Sequence, residues 1–151
     1  METKTRARAL VLLSGGIDST TTLAKAVKQY GAENTIALTL SYGQKHVREI
    51  DAAHNVAAHY HLKDHIIKTL DPSLFAGGGS TLIDADKETP HVTYEEIRDT
   101  PGMSPTYVPF RNANLLSAAT ALALVHNCET IHYGAHAEDS RNWAYADCTP
   151  K

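Results

Sequence analysis

The chain has 151 residues, enough for one domain with loops and too few for two full domains. At 42% hydrophobic and 21% charged residues its composition is ordinary for a globular protein, which excludes a disordered or collagen-like chain. Lys and Arg number 14 against 17 Asp and Glu, a formal net charge of −3, so charge argues against a basic nucleic-acid surface and against a polybasic membrane anchor.

The run Ala7–Leu13 is apolar and closed by Ser14-Gly15-Gly16, which predicts a buried strand and a sharp turn. Ser19–Gln29 has helical composition, with Leu23, Ala26 and Val27 as its apolar stripe and Gly31 as its stop. Thr35–Tyr42 carries Ile36, Leu38 and Leu40 and reads as a second strand. Val47–Tyr60 is an amphipathic helix with Val47, Ile50, Ala53, Ala57 and Tyr60 near one face. His65–Leu70 is a third strand. Strands alternating with helices predict βαβ units and a parallel sheet with right-handed crossovers.

Residues 71–106 break the pattern: Gly77-Gly78-Gly79-Ser80, Pro90, Pro101 and Pro105 punctuate a long irregular, lid-like stretch. Asn112–Asn127 restores a helix, with Ala and Leu on most faces (Leu115, Leu116, Ala119, Leu122, Ala123), which predicts a well-buried element. Thr130–Tyr133 is a fourth strand ending at Gly134, and the remainder is polar. One nucleotide-binding domain over 1–151 is expected, with no internal repeat.

The two cysteines, Cys128 and Cys148, form no CxxC pair and no disulfide framework, which points to a reducing compartment. The stretch Ala9–Leu13 is too short for a signal-peptide core or a membrane span, so the cytoplasm is the expected location. His54, His59 and His61 cluster on the second helix and its end, but not at the i, i+4 spacing that puts two zinc ligands on one face; a polar face is the expectation.

The chemistry concentrates at Ser14-Gly15-Gly16-Ile17-Asp18-Ser19, between the first strand and the first helix. In an open α/β sheet a ligand sits at the carboxyl ends of the strands. Two glycines allow positive φ and close approach of a ligand to the main chain. Amides of the turn and of the helix N-terminus then converge on an anion, with the hydroxyls of Ser14, Ser19 and Thr20 as further donors. Asp18 is a poor partner for phosphate and a better ligand, direct or through water, for Mg²⁺. No GxxxxGK[ST] and no GxGxxG is present, which excludes a Walker loop and a dinucleotide fingerprint. The plainer alternative is a glycine turn with Asp18 or Ser19 as helix cap.

The hexapeptide Ser14–Ser19 resembles the pyrophosphate loop of the PP-loop (N-type) ATP pyrophosphatases, enzymes that adenylate a carbonyl or carboxyl oxygen, release pyrophosphate and let a nitrogen or sulfur nucleophile displace AMP. Further segments resemble the 7-cyano-7-deazaguanine synthase family of queuosine biosynthesis: Thr20-Thr21-Thr22-Leu23; Ser41-Tyr42-Gly43-Gln44-Lys45-His46 with Glu49-Ile50; Thr106-Tyr107-Val108-Pro109-Phe110-Arg111-Asn112; and, more loosely, Gly134-Ala135-His136-Ala137-Glu138-Asp139 with Tyr145-Ala146-Asp147-Cys148. The loop alone identifies the superfamily, whereas the second and third segments together are far more specific.

The resemblance implies a Rossmann-like, doubly wound parallel α/β sheet of the PP-loop ATPase (adenine nucleotide alpha hydrolase-like) kind. It implies ATP, Mg²⁺, ammonia and a 7-deazaguanine substrate, and a homodimer by family habit, while the net charge of −3 weighs against nucleic acid or membrane as partner. Leu13 to Leu23, Tyr42 and Gln44 would line the nucleotide site. Lys45, His46 and Arg48 would place positive charge over triphosphate or departing pyrophosphate, or form a solvated basic turn. Arg111 precedes a helix that Asn112 or Asn114 would cap, and would clamp an anion there; Arg111 and Asn112 are also expected at the substrate. Glu138 and Asp139 would bind Mg²⁺ or the guanine-like edge, or be solvated acids. Trp143 and Tyr145 would stack on a base or pack on the body; the sequence leaves both open.

The sequence departs from the family in length. Family members carry four downstream cysteines that hold a structural zinc, and those ligands do not occur in this sequence. Cys148 matches the family's Asp-Cys segment and not a zinc ligand. The sheet is therefore expected to be incomplete at its C-terminal side.

Overall fold

The computed structural model describes residues 8–43, 48–75, 80, 93, 96, 108 and 110–135. These fall into two compact units: 8–41, 48–69 and 115–134 in the first, and 42–43, 70–75, 80, 93, 96, 108, 110–114 and 135 in the second.

The first unit holds strands β1 (Ala9–Leu12), β2 (Thr35–Ser41), β3 (Asp64–Thr69) and β4 (Thr130–His132), with helices α1 (Ile17–Tyr30) and α2 (Arg48–His59). Helix α3 (Arg111–Val125) has Arg111–Asn114 in the second unit and the rest in the first. The strands form one parallel sheet in the order β3-β2-β1-β4. The order reverses between β1 and β4, which is the switch point where doubly wound sheets bind ligands.

Each face of the sheet has its own core. On one, Val11, Leu13 and Ala37 meet Leu23 and Ala26 of α1 and Ala53 and Ala57 of α2. On the other, Leu10, Leu38 and Leu40 meet Ala119 and Ala123 of α3, with Leu122, Ile131 and Cys128 packed at the margin. Alternation along β1 and β2 sends successive side chains to opposite faces. Burial raises the Cys128 thiol pKa above its usual range, consistent with a packing rather than a reactive role.

Every strand and helix expected from the sequence is present, with end shifts of one or two residues. Helix α1 starts at Ile17, two residues before the expected Ser19, because Gly16 is its N-cap; neither Asp18 nor Ser19 is the cap. It ends as expected on Gly31 (φ 86°), whose N–H donates to the Val27 carbonyl at 2.9 Å.

Two expectations for α3 need correction. Asn112 and Asn114 lie inside the helix, so neither caps it, and the Asn114 amide donates to the Phe110 carbonyl at 2.9 Å. The helix is buried on one face only: Ala119 and Ala123 are buried, while Leu124 and Val125 are 75% and 72% exposed. A 3.6-residue period turns those two away from the sheet.

In the second unit, Pro72–Leu74 forms a 3-10 turn, and the Asp71 carboxylate accepts from the Ser73 N–H at 2.9 Å. Thr93 and Glu96 make a reciprocal capping box: the Thr93 N–H donates to the Glu96 carboxylate at 2.7 Å and the Glu96 N–H to the Thr93 hydroxyl at 3.3 Å.

Candidate functional site

The loop after β1 is closed by its own hydroxyls. The Ser19 hydroxyl donates to the Gly16 carbonyl at 3.1 Å and accepts from the Ser14 N–H at 3.1 Å. With the Ser19 proton committed, the Ser14 hydroxyl is the donor across the 3.1 Å contact between the two serines. Ser14 Oγ in turn accepts from the Gly16 N–H at 3.3 Å. Both hydroxyl protons are thus used inside the loop, and either must rotate to reach a phosphate.

The amides of Ile17, Asp18 and Ser19, in the first turn of α1, have no acceptor within the helix, and Gly16 brings no side chain to cap them. The α1 dipole adds partial positive charge there. Ile17 is 85% exposed and Asp18 is exposed.

Two close approaches shape this cradle. Gly15 has φ +86°, and a Cβ on it would lie 2.6 Å from the Ala53 nitrogen and 2.8 Å from the Ala52 Cβ, so the loop lies flush on α2. Gly134, just past β4, has no room for a Cβ either: the atom would sit 2.8 Å from the Asp18 carbonyl carbon. The end of β4 therefore lies against the first turn of α1, at the switch point.

A family model described as queuosine biosynthesis protein QueC matches residues 8–151. The chain belongs to the QueC family. It is 44% identical to the 7-cyano-7-deazaguanine synthase of Legionella pneumophila (strain Corby), covering 95% of this chain and 58% of that protein. It is also 44% identical to that of Nitrosospira multiformis, over 95% and 57%. This QueC-family chain thus spans less than two thirds of the length of these curated relatives. In fold it is similar to the NH3-dependent NAD synthetase from Campylobacter jejuni, with a TM-score of 0.53 at 17% identity, over 90% of this chain and 51% of that one.

In this QueC-family chain the expected residues play different parts. Leu13 is 2% exposed, so its side chain packs in the core and only its main chain belongs to the loop. Leu23, expected at the nucleotide, is fully buried in that core and supports α1 from beneath. The hydroxyls of Thr21 and Thr22 bond back to the carbonyls of Ile17 and Asp18 at 2.9 and 2.8 Å. Thr20 is half-buried, and its N–H closes the first helical turn on the Gly16 carbonyl at 3.0 Å.

The second unit brings Tyr42 and Arg111 together. The Arg111 guanidinium carbon lies 6.0 Å from the centre of the Tyr42 ring, at the outer range of a cation–π contact. Phe75 meets the same ring edge-on at 6.0 Å. Gly43 (φ +83°) is tight against Pro72, which holds the turn after Tyr42. Asn112 is half-buried in the first turn of α3. Gln44, Lys45, Glu138 and Asp139 lie outside the described residues, as do Trp143, Tyr145 and Cys148.

Among the described residues no three His, Cys, Asp or Glu side chains converge as a metal site. The exposed Asp18 carboxylate at the start of α1 fits Mg²⁺, a cation that takes one or two carboxylates and completes its shell with phosphate oxygens and water. Among the described residues no helix is long and apolar enough to cross a membrane.

Sequence reasoning placed Gly134 at the end of the fourth strand and at the head of the Gly134–Asp139 segment, but gave it no part in shaping the loop after β1. Its signal was position: a glycine directly after the strand that neighbours β1.

Proposed function

We propose that residues 1–151 form the nucleotide-binding domain of an ATP-dependent, cytoplasmic C–N ligase that makes 7-cyano-7-deazaguanine from 7-carboxy-7-deazaguanine and ammonia. The observation that carries the reading is the Ser14–Ser19 cradle in a chain 44% identical to proteins named for that product.

In this reading the substrate carboxylate attacks the α-phosphorus of ATP. The α–β phosphoanhydride bond breaks, pyrophosphate leaves, and an acyl-adenylate forms. Ammonia attacks the acyl carbon and AMP departs, giving the amide with loss of one proton. The amide oxygen attacks the α-phosphorus of a second ATP, pyrophosphate leaves as the α–β bond breaks, and the adenylated amide then loses AMP; the amide nitrogen gives up two protons in all, which leaves the nitrile. The chain's own part is positioning and charge neutralisation. The amides of Ile17, Asp18 and Ser19 receive the β- and γ-phosphates, and Gly15 and Gly16 let them approach. Asp18 would hold Mg²⁺, which supplies neutralising charge for the departing pyrophosphate. Lys45 and Arg111 are assigned the same electrostatic task, Tyr42 and Gln44 the nucleotide, and Asn112, Glu138 and Asp139 the deazaguanine substrate. The downstream zinc region of longer family members has no counterpart in these residues and no step depends on it here.

A second reading, a nucleotide-binding module without turnover, rests on the same Ser14–Ser19 cradle. Incubation with ATP, Mg²⁺, ammonium and 7-carboxy-7-deazaguanine, followed by mass spectrometry, separates the two. AMP together with the nitrile supports the ligase. Binding of ATP without AMP supports the module, and ADP as the product contradicts both.

A further inference from the structure

The peptide unit that joins Leu13 to Ser14 is gripped on both sides. Its N–H, that of Ser14, donates to the Ser19 hydroxyl at 3.1 Å. Its carbonyl, that of Leu13, accepts from the Thr39 hydroxyl at 2.7 Å in a buried contact. The Leu13 N–H is also fixed, donating to the Leu38 carbonyl at 2.9 Å. Thr39 comes from β2, is 3% exposed, and its oxygen also lies 2.8 Å from His65 Nε2 on β3.

The proton count settles the direction of this relay. A threonine hydroxyl has one proton, and a carbonyl can only accept. The proton therefore points to Leu13, and Thr39 Oγ1 accepts from His65. That requires a proton on Nε2 and, in the neutral ring, a lone pair on Nδ1. Nδ1 is buried and has no hydrogen-bond partner among the described residues, so it gains nothing from carrying the proton instead. The His54 ring of α2 stacks at 5.8 Å on the same imidazole.

We propose that Thr39 and His65 are positioning residues for the phosphate loop: His65 orients the Thr39 hydroxyl, which holds the Leu13 carbonyl and so fixes the angle at which the chain leaves β1 into Ser14-Gly15-Gly16. The pair touches no ligand and acts through the main chain of Leu13. Leu13 is the last residue before the loop, so a rotation of its peptide unit would move the Ser14 N–H off Ser19 and open the ring of hydrogen bonds that shapes the cradle. The role assigned to the pair rests on the phosphate-binding reading of that cradle; the relay itself does not.

The test compares wild type with Thr39→Val, which keeps shape and loses the hydroxyl, and Thr39→Ser, which restores it. Pyrophosphate binding is followed by calorimetry, and the Ser14, Gly15 and Gly16 amides and the His65 ring nitrogens by NMR. The expected result is pyrophosphate affinity weakened about tenfold or more in Thr39→Val and within about threefold of wild type in Thr39→Ser. The three loop amides should shift in Thr39→Val alone, and wild-type His65 should carry its proton on Nε2. If Thr39→Val unfolds, His65→Gln, which can donate from its own amide to Thr39, against His65→Ala repeats the comparison. Unchanged loop amides and unchanged affinity in a folded Thr39→Val protein would overturn the proposal, as would a proton on Nδ1. If wild type itself binds no pyrophosphate, the phosphate reading fails, and the loop amides still decide whether Thr39 and His65 set the loop.

Discussion

Gly134 lies so close to Asp18 that a Cβ on it would be 2.8 Å from the Asp18 carbonyl carbon and 3.0 Å from its oxygen. A strand end and a helix start, more than a hundred residues apart in sequence, meet there main chain against main chain. The contact lies in the first turn of α1, beside its unpaired amides.

Gly134→Ala must push the first turn of α1 aside. We expect pyrophosphate affinity to fall about tenfold, with a smaller loss of stability, because the strained contact lies at the cradle and outside both cores. Calorimetry and urea unfolding on the same protein check this. Unchanged affinity would show that the turn relaxes without disturbing the amides.

Gly15→Ala combines positive φ with a Cβ 2.6 Å from the Ala53 nitrogen. Both costs fall on the folded state, and a loss of about 2–4 kcal/mol is expected in urea unfolding. A loss below about 0.5 kcal/mol would mean that the loop does not rest on α2.

Asp18→Asn keeps size and removes the anionic metal ligand. ATP binding should weaken more in the presence of Mg²⁺ than in its absence. Asp18 also sits in the first turn of α1, where a carboxylate contributes about 0.3–1 kcal/mol through the helix dipole. Equal losses with and without Mg²⁺ would reduce Asp18 to that helical role.

Burial, and then the neighbouring His54, lower the His65 pKa below its ordinary 6.5. A lowered folded-state pKa means the unfolded chain takes up the proton first as pH falls. Stability should therefore be flat above the unfolded value and decline as pH drops from about 6.5 through the folded value. His65→Gln should flatten that segment of a melting-temperature profile recorded between about pH 7.5 and pH 5. An identical slope in the variant would assign the decline to other groups.

Much of this was legible in the sequence because it is local. Apolar runs such as Ala9–Leu12 and helical stripes such as Leu23 and Ala26 repeat with the period of the element they form, and glycines mark the turns. Helix α1 starts two residues before the stretch whose composition reads as helical, because Gly16 caps it with main chain alone. The Thr39–His65 relay and the Gly134–Asp18 contact join residues 26 and 116 positions apart, and no local period announces such pairings.

The central claim is that the Ser14–Ser19 loop receives the phosphates of ATP, and thermal unfolding with pyrophosphate tests it most directly. Ligand at about 100 times its dissociation constant should add roughly 2.7 kcal/mol to native stability. For a chain of this length that raises the melting temperature by about 5–10 °C, and the rise should shrink in Gly134→Ala. A folded protein whose melting temperature does not move with millimolar pyrophosphate or ATP would contradict the account.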